Sequence, residues 1–287
     1  MTMNDREGLI IKGVAGSYTV LADGEIYVCK PRGVFRNRNT TPLVGDYAVI
    51  SCSPDGQGVL HTIKPRKNEL RRPPVANIDQ VIITVATTQP AFNPGLLDRF
   101  LVLTEYNEIP AVICVNKTDL TDDDCFAPYI QAGYPLVYTS VVSDNGLEAL
   151  REVMAGKLNV FAGPSGVGKS SLINALSPGL ELETGGLSTK LGRGKHTTRH
   201  SEIFALGGAA SDGYCVDTPG FTSLDTSEIT KEELSQLFIE FLPIAGHCKF
   251  GNCLHIKETG CAVKDAVGNE IHPTRYEGYL KLIPLCK

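Results

Sequence analysis

The sequence predicts a multidomain chain: a small all-β barrel, then an α/β domain with a mainly parallel sheet, then a helical tail rich in cysteine and histidine. Three observations predict it. Short β-prone runs between Gly- and Asp-containing turns fill residues 9–63, and from residue 80 apolar strands alternate with helical stretches. After Thr226 the chain turns helical and acidic, then places three cysteines and a histidine within fourteen residues. The expected boundaries are 1-72, 73-225 and 226-287, and 287 residues suffice for three small domains.

The barrel rests on five runs, 9–11, 18–21, 26–29, 47–50 and 59–63, the rhythm of a five-stranded small barrel. Residues 64–74 combine charge with three prolines and read as a linker at a domain boundary. Strands are then expected at 80–87, 111–115, 136–139, 158–162 and 214–216, with helices over 94–106 and 171–176. Further helical stretches are expected over 231–241 and 276–283.

Composition narrows the function classes. No basic segment followed by an apolar one opens the chain and no apolar run approaches spanning length, so a cytoplasmic protein without a membrane segment is expected. Nine scattered cysteines then read as reduced thiols and metal ligands rather than disulfides. A net charge of −5 argues against coating nucleic acid by charge alone. The charge is polarised, however: residues 1–72 hold four Lys and seven Arg against seven acidic residues, about +4, leaving about −9 for the rest.

The strongest motif is Gly163-Pro164-Ser165-Gly166-Val167-Gly168-Lys169-Ser170, a complete G-x-x-x-x-G-K-S loop between an expected strand and an expected helix opened by Ser171. Its glycines let backbone N–H groups turn toward phosphate oxygens, Lys169 places a charge near the β and γ phosphates, and Ser170 is a Mg²⁺ ligand. Asp217-Thr218-Pro219-Gly220 follows the 214–216 strand, with Asp217 suited to hold Mg²⁺ through water and the Gly220 N–H to sense a γ-phosphate. Asn116-Lys117-Thr118-Asp119 closes the 111–115 strand, where Asp119 can accept both guanine N1–H and N2–H₂ while Asn116 and Lys117 brace the site. Thr139 and Ser140, after the 136–139 strand, form a second candidate base loop.

These motifs together resemble a G domain in which the base-specificity loops precede the P-loop. A site built from loops at one sheet edge survives such a permutation if the strands keep their places. In this order and with this tail, nearly the whole chain resembles the circularly permuted, ribosome small-subunit-dependent GTPases of the RsgA or YjeQ family. The resemblance implies an N-terminal OB-fold, a permuted P-loop GTPase domain using GTP/GDP and Mg²⁺, and a C-terminal zinc-binding domain. It also implies action late in maturation of the bacterial small ribosomal subunit, which stimulates a slow GTPase. The small subunit and its rRNA are the expected partners, and a monomer the expected state.

Residues 192–200 resemble the family's first switch loop, with Thr197 or Thr198 offering a hydroxyl to Mg²⁺ and an N–H to the γ-phosphate. After Gly220 stands Phe221, which cannot orient water as a glutamine does. His196 is the candidate to do so, and Lys169, His196 and Thr198 form the expected catalytic set. Cys248, Cys253, His255 and Cys261 supply three thiolates and an imidazole, the number and softness for tetrahedral Zn²⁺, in spacings that match the family pattern. In the barrel, Arg32, Arg36, Arg38, Lys64, Arg66 and Lys67 are candidates to track rRNA phosphates, and Tyr18, Tyr27 and Phe35 to stack on bases. The same P-loop resembles that of guanylate kinases, but they place it near the N-terminus and lack an Asn-Lys-x-Asp loop.

Overall fold

A computed structural model describes residues 4–33, 35, 41–71, 73–121, 125–177, 201–207, 212–221 and 226–287, the side chains of 4, 71 and 217–221 excepted. Two compact units form, one from described residues within 1–80, 154–161 and 187–221, the other from those within 81–153, 162–186 and 222–287.

In the first unit, β1 (Asn4–Val14), β2 (Ser17–Ala22), β3 (Glu25–Pro31), β4 (Tyr47–Cys52) and β5 (Gln57–Ile63) close a barrel in the order β1-β2-β3-β5-β4-β1, an OB-like topology. One half of β1 pairs with β4 and the other with β2, so the strand has to bend. It does so at a bulge between Ile10 and Lys12 and at Gly8, where a Cβ would lie 2.6 Å from Val20 Cγ1. Ala15-Gly16 and Asp23-Gly24 both adopt positive φ, which gives two-residue turns the twist that β-hairpins need. Ile10, Val20, Cys29, Ala48, Ile50 and Leu60 fill the interior. Tyr27 is buried among them with Tyr18 and Phe35 packed alongside, so the three aromatic rings considered for base stacking are engaged with the core.

The described residues of the segment expected to be a linker carry two short strands. β6 (Glu69–Arg71) and β7 (Pro74–Ala76) pair antiparallel, and Arg66 forks onto the fully buried Asp46 carboxylate at 2.7 and 2.8 Å. A carboxylate taken out of water needs such a cation, and sequence spacing alone did not reveal the pair. Lys64 pairs with Glu7 at 2.5 Å and Lys67 with Asp79, so Lys64, Arg66 and Lys67, the three candidates there for phosphate contacts, all have partners within the chain.

The second unit begins with β8 (Gln80–Ala86), α1 (Pro94–Tyr106), β9 (Ala111–Asn116), α2 (Ala127–Gln131) and β10 (Leu136–Tyr138). Parallel pairing runs β8-β9-β10, and β8 and β9 are buried at every position, as parallel strands covered on both faces must be. α1 starts where expected because Asn93 Oδ1 caps the Leu96 N–H at 3.2 Å and Pro94 opens the first turn. After α3 (Leu147–Met154), β11 (Leu158–Ala162) belongs mostly to the first unit, and α4 (Lys169–Leu176) lies in the second. β12 (Glu202–Ala205), which the periodicity did not reveal, pairs antiparallel with β13 (Tyr214–Phe221), giving the order β11-β13-β12-β1 in the first unit. Pairing of Glu202 with Asp217 helps carry β13 past residue 216, where the sequence suggested a strand end, and Lys12 binds Glu202 at 2.7 Å.

In the tail, the helix expected over 231–241 stops after one turn, α5 (Lys231–Leu234), which a Thr230/Glu233 capping box begins. Ile239–Phe241 is a 3₁₀ turn that helps bury Phe238 and Phe241 completely, and burial of those rings overrides helical continuity. α6 (Leu242–Ala245), α7 (Ala262–Asp265) and α8 (Pro273–Leu282) follow, α8 opening earlier than expected because His272 caps it and Pro273 occupies its first turn. No described helix is long and apolar enough to cross a membrane.

Among the described residues, Arg275 of α8 is the largest fully buried side chain. Its guanidinium binds Asp98 of α1 and Glu240, the latter at 2.6 and 3.2 Å, and lies 4.5 Å over the Phe238 ring. Gly278 lets α8 approach, because a Cβ there would collide with the Asp98 carboxylate. Arg275→Leu leaves two carboxylates buried without their cation and is expected to cost about 3–5 kcal/mol in denaturant unfolding. A loss below about 1 kcal/mol would show that this cluster does not hold the tail to α1.

Candidate functional site

The P-loop leaves β11 at Gly163, whose φ of +129° and close approach to the Thr84 carbonyl exclude any side chain. Gly168, at φ +97°, caps α4, and a Cβ there would collide with the Asn116 side-chain amide. Val167 is fully buried, Ser165 and Gly166 are exposed, and Ser170 and Ser171 sit half-buried in the first turn of α4. Lys169 Nζ donates to the Gly163 and Pro164 carbonyls at 2.8 and 2.7 Å, and burial lowers its pKa. The charged amine is thus held within the turn of the loop.

Asn116 ends β9, buried, with both ends of its amide used. Nδ2 donates to Val167 O at 2.8 Å and Oδ1 accepts from Thr139 Oγ1 at 3.1 Å. Thr139 O accepts in turn from the N–H and the hydroxyl of Thr118, at 3.2 and 3.1 Å. Lys117, in the left-handed region at φ +64°, donates through Nζ to Gly166 O at 2.7 Å and Gln89 O at 2.5 Å. Asp119 is exposed, and its Oδ1 accepts from the buried Ser140 hydroxyl at 2.5 Å. Ser140 is itself fixed by reciprocal backbone bonds with Asn145 and by the Ser143 N–H.

The structure therefore joins the P-loop, the Asn-Lys-x-Asp loop and the Thr139-Ser140 loop by side-chain hydrogen bonds. It adds a fourth segment that the sequence reading missed, the turn after β8 carrying Gln89. The available signal was Thr87-Thr88-Gln89-Pro90, a polar turn directly after a wholly buried strand, where α/β proteins place ligand loops. Asp217 and Gly220 lie along β13 in the first unit, the Asp217 side chain outside the described ones. His196, Thr197 and Thr198 lie outside the described residues, as do Arg36 and Arg38.

A second cluster forms in the tail, where the ligand atoms of Cys248, Cys253, His255 and Cys261 all fall within 4.8 Å of one another. His255 Nδ1 is 3.3 Å from Cys261 Sγ and 3.6 Å from Cys248 Sγ, and those two sulfurs are 3.9 Å apart. Tetrahedral zinc with bonds of about 2.3 Å to sulfur sets its sulfurs about 3.8 Å apart, so the donors fit. Burial pushes the Cys261 thiol up to about 12 and raises Cys253 as well, the condition in which thiolate form requires a cation. The loop is held from outside: Tyr276 Oη donates to His255 O at 2.7 Å and Tyr279 Oη to Leu254 O at 2.6 Å. Against the effect of burial, backbone N–H groups including those of Leu254, Ile256 and Lys257 bring the Glu258 carboxyl down to about 2.

A strand-borne P-loop braced by an Asn-Lys-x-Asp loop that precedes it in the chain defines a circularly permuted P-loop GTPase. Comparisons with known proteins specify which kind. The RsgA GTPase family model matches residues 63–227, and that of the RsgA N-terminal domain residues 7–60. A small ribosomal subunit biogenesis GTPase RsgA from Bacillus velezensis is 49% identical over 284 residues, 95% of either chain. The crystal structure of YjeQ from Thermotoga maritima is similar with a TM-score of 0.86 and 38% identity, covering 98% of both chains. YloQ, described as a circularly permuted GTPase, has a TM-score of 0.83 and 40% identity, covering 98% of this chain and 94% of its own. The chain belongs to the RsgA GTPase family, which implies GTP hydrolysis with GTP/GDP and Mg²⁺.

Thr139→Val keeps the shape of its side chain but removes the bond to Asn116. Loss of one buried hydrogen bond of about 0.5–1.5 kcal/mol predicts a roughly three- to tenfold weaker affinity for a fluorescent GDP analogue, with P-loop residues unchanged. Unaltered affinity in titration would show that this brace is dispensable.

Proposed function

We propose that this chain hydrolyses GTP as an assembly factor for the bacterial small ribosomal subunit, with the subunit stimulating hydrolysis and hydrolysis timing its docking or release. Asp119 reads guanine through N1–H and N2–H₂, its carboxylate oriented by Ser140, and Asn116 and Lys117 brace the base loop against the P-loop. Backbone N–H groups of residues 163–171 cradle the phosphates, and Lys169 turns its amine to the β and γ oxygens. Ser170, a threonine at 197 or 198 and Asp217 would hold Mg²⁺, which would supply charge neutralisation on the phosphate oxygens. The Gly220 N–H meets the γ-phosphate, and His196 orients the water that attacks it as the bond to the β-γ bridging oxygen breaks. Phe221 cannot donate to that water, which keeps hydrolysis slow until the subunit stimulates it.

The observation that carries this reading is the Asn116 bond to the Val167 carbonyl, which ties the base-specificity strand directly to the phosphate loop. In the same reading residues 1-72 form the rRNA-binding domain, 73-225 the permuted G domain and 226-287 a zinc domain. Cys248, Cys253, His255 and Cys261 hold a structural zinc, since four protein donors leave no position for water. With Arg66 committed to buried Asp46, Arg32 and the exposed face of the barrel are better placed to meet rRNA. The protein acts as a cytoplasmic monomer.

Phosphate release from GTP and from ATP, with and without purified small subunits, tests the central reading. GTP-selective turnover that rises strongly with subunits and is abolished in Lys169→Ala is expected; preference for ATP would remove the role given to Asp119. Metal analysis should find one zinc per chain, lost in Cys261→Ser, and a zinc-free wild type would refute the tail assignment.

A further inference from the structure

The tail and the nucleotide site are joined by a run of contacts that is buried at the Asp98–Arg275–Glu240 cluster and exposed where Lys117 meets Gln89 and Gly166. From the metal cluster, His255 lies with its ring 5.8 Å from that of Phe241, edge to face, and Phe241 and Phe238 pack on Tyr279 at 5.1 and 5.2 Å. Tyr276 and Tyr279 of α8 hold the carbonyls of His255 and Leu254. On the same helix, Arg275 reaches Asp98 of α1 and Glu240 of the tail, and all three side chains are at least 95% buried. α1 in turn follows the turn whose Gln89 carbonyl Lys117 clamps together with Gly166 of the P-loop. Every contact named lies within the second unit.

The energetics of this network are asymmetric. If the 248–261 loop loses its cross-links, Tyr276 and Tyr279 lose the carbonyls that anchor α8, and Arg275 is no longer held. Asp98 would then remain in an apolar setting without a cation, a state costly enough to displace α1 or admit water. The second state required for coupling is thus local unfolding of the tail, a small cooperative element stapled by its metal.

We propose that zinc occupancy at Cys248, Cys253, His255 and Cys261 is thermodynamically coupled to guanine-nucleotide affinity, with the Asp98–Arg275–Glu240 cluster as the link. The idea rests on the zinc and guanine assignments above and adds regulation to them: metal loss through chelation weakens nucleotide binding without any substitution at the P-loop. Arg275 and Asp98 are positioning residues in this scheme, since neither touches nucleotide or metal.

The test uses the full chain, a fluorescent GDP analogue and a chelator that takes zinc but leaves Mg²⁺. Removing zinc is expected to weaken GDP binding about tenfold, and by reciprocity saturating GDP should raise apparent zinc affinity by the same factor. Arg275→Leu risks unfolding, so the informative variant is Asp98→Leu/Glu240→Met/Arg275→Met, because apolar replacement of a whole buried ion cluster is often neutral or stabilising. It should keep its zinc and bind GDP, with chelation now changing GDP affinity less than about threefold. A wild type whose zinc has left but whose GDP affinity moves less than threefold overturns the coupling while leaving both site assignments intact. A triple variant that retains tenfold coupling overturns the role of the cluster. A chain purified without zinc overturns the metal assignment and this proposal with it.

Discussion

A buried side-chain amide must satisfy a donor and an acceptor end, and Asn116 does so on two different loops. That requirement organises the nucleotide region. Its donor end fixes the P-loop at Val167, and its acceptor end fixes Thr139, whose carbonyl then holds Thr118 and whose neighbour Ser140 orients Asp119. Gly168 is glycine for the same reason, since the amide occupies the space a Cβ would need. Phosphate loop and base loops are therefore set in register by one residue. This arrangement depends on which strands are neighbours and not on their order in the chain, which is why a permuted sequence can preserve it.

Burial of charge organises the tail in a comparable way. Few residues between 246 and 264 could form a core of their own, and the loop is shaped by its four clustered donors, by Glu258 gathering backbone N–H groups, and by two tyrosine hydroxyls from α8. α8 is fastened to α1 by Arg275 between Asp98 and Glu240. Such a cluster adds little net stability compared with apolar packing, but it tolerates only one arrangement of the helices, because any other leaves a charge unpaired.

In the barrel, cations that look free in the sequence turn out to be engaged. Arg66 supports buried Asp46, and Lys64 and Lys67 pair with Glu7 and Asp79. Exposed pairs of this kind are weak enough to exchange for phosphate, whereas the Arg66 fork on a fully buried carboxylate is not. The net positive charge of the segment therefore overstates the number of side chains available to a polyanion.

Sequence by itself determined the elements whose signals are local. Continuous apolar runs marked β8, β9 and β11, Asn93-Pro94 marked the start of α1, and the glycine pattern of 163–168 marked the phosphate loop, because only glycine can take those backbone angles. The donor set of Cys248, Cys253, His255 and Cys261 was legible too, since few soft ligands occur so closely spaced without a metal. Tertiary structure decided what depends on partners distant in the chain. β12 is a strand because β13 and β1 flank it; residues 231–241 break because Phe238 and Phe241 must be buried; Gln89 joins the site because Lys117 reaches its carbonyl. Arg66 read as a candidate phosphate contact and Arg275 carried no local signal, and only the fold, by burying Asp46 and Asp98, turned them into structural cations.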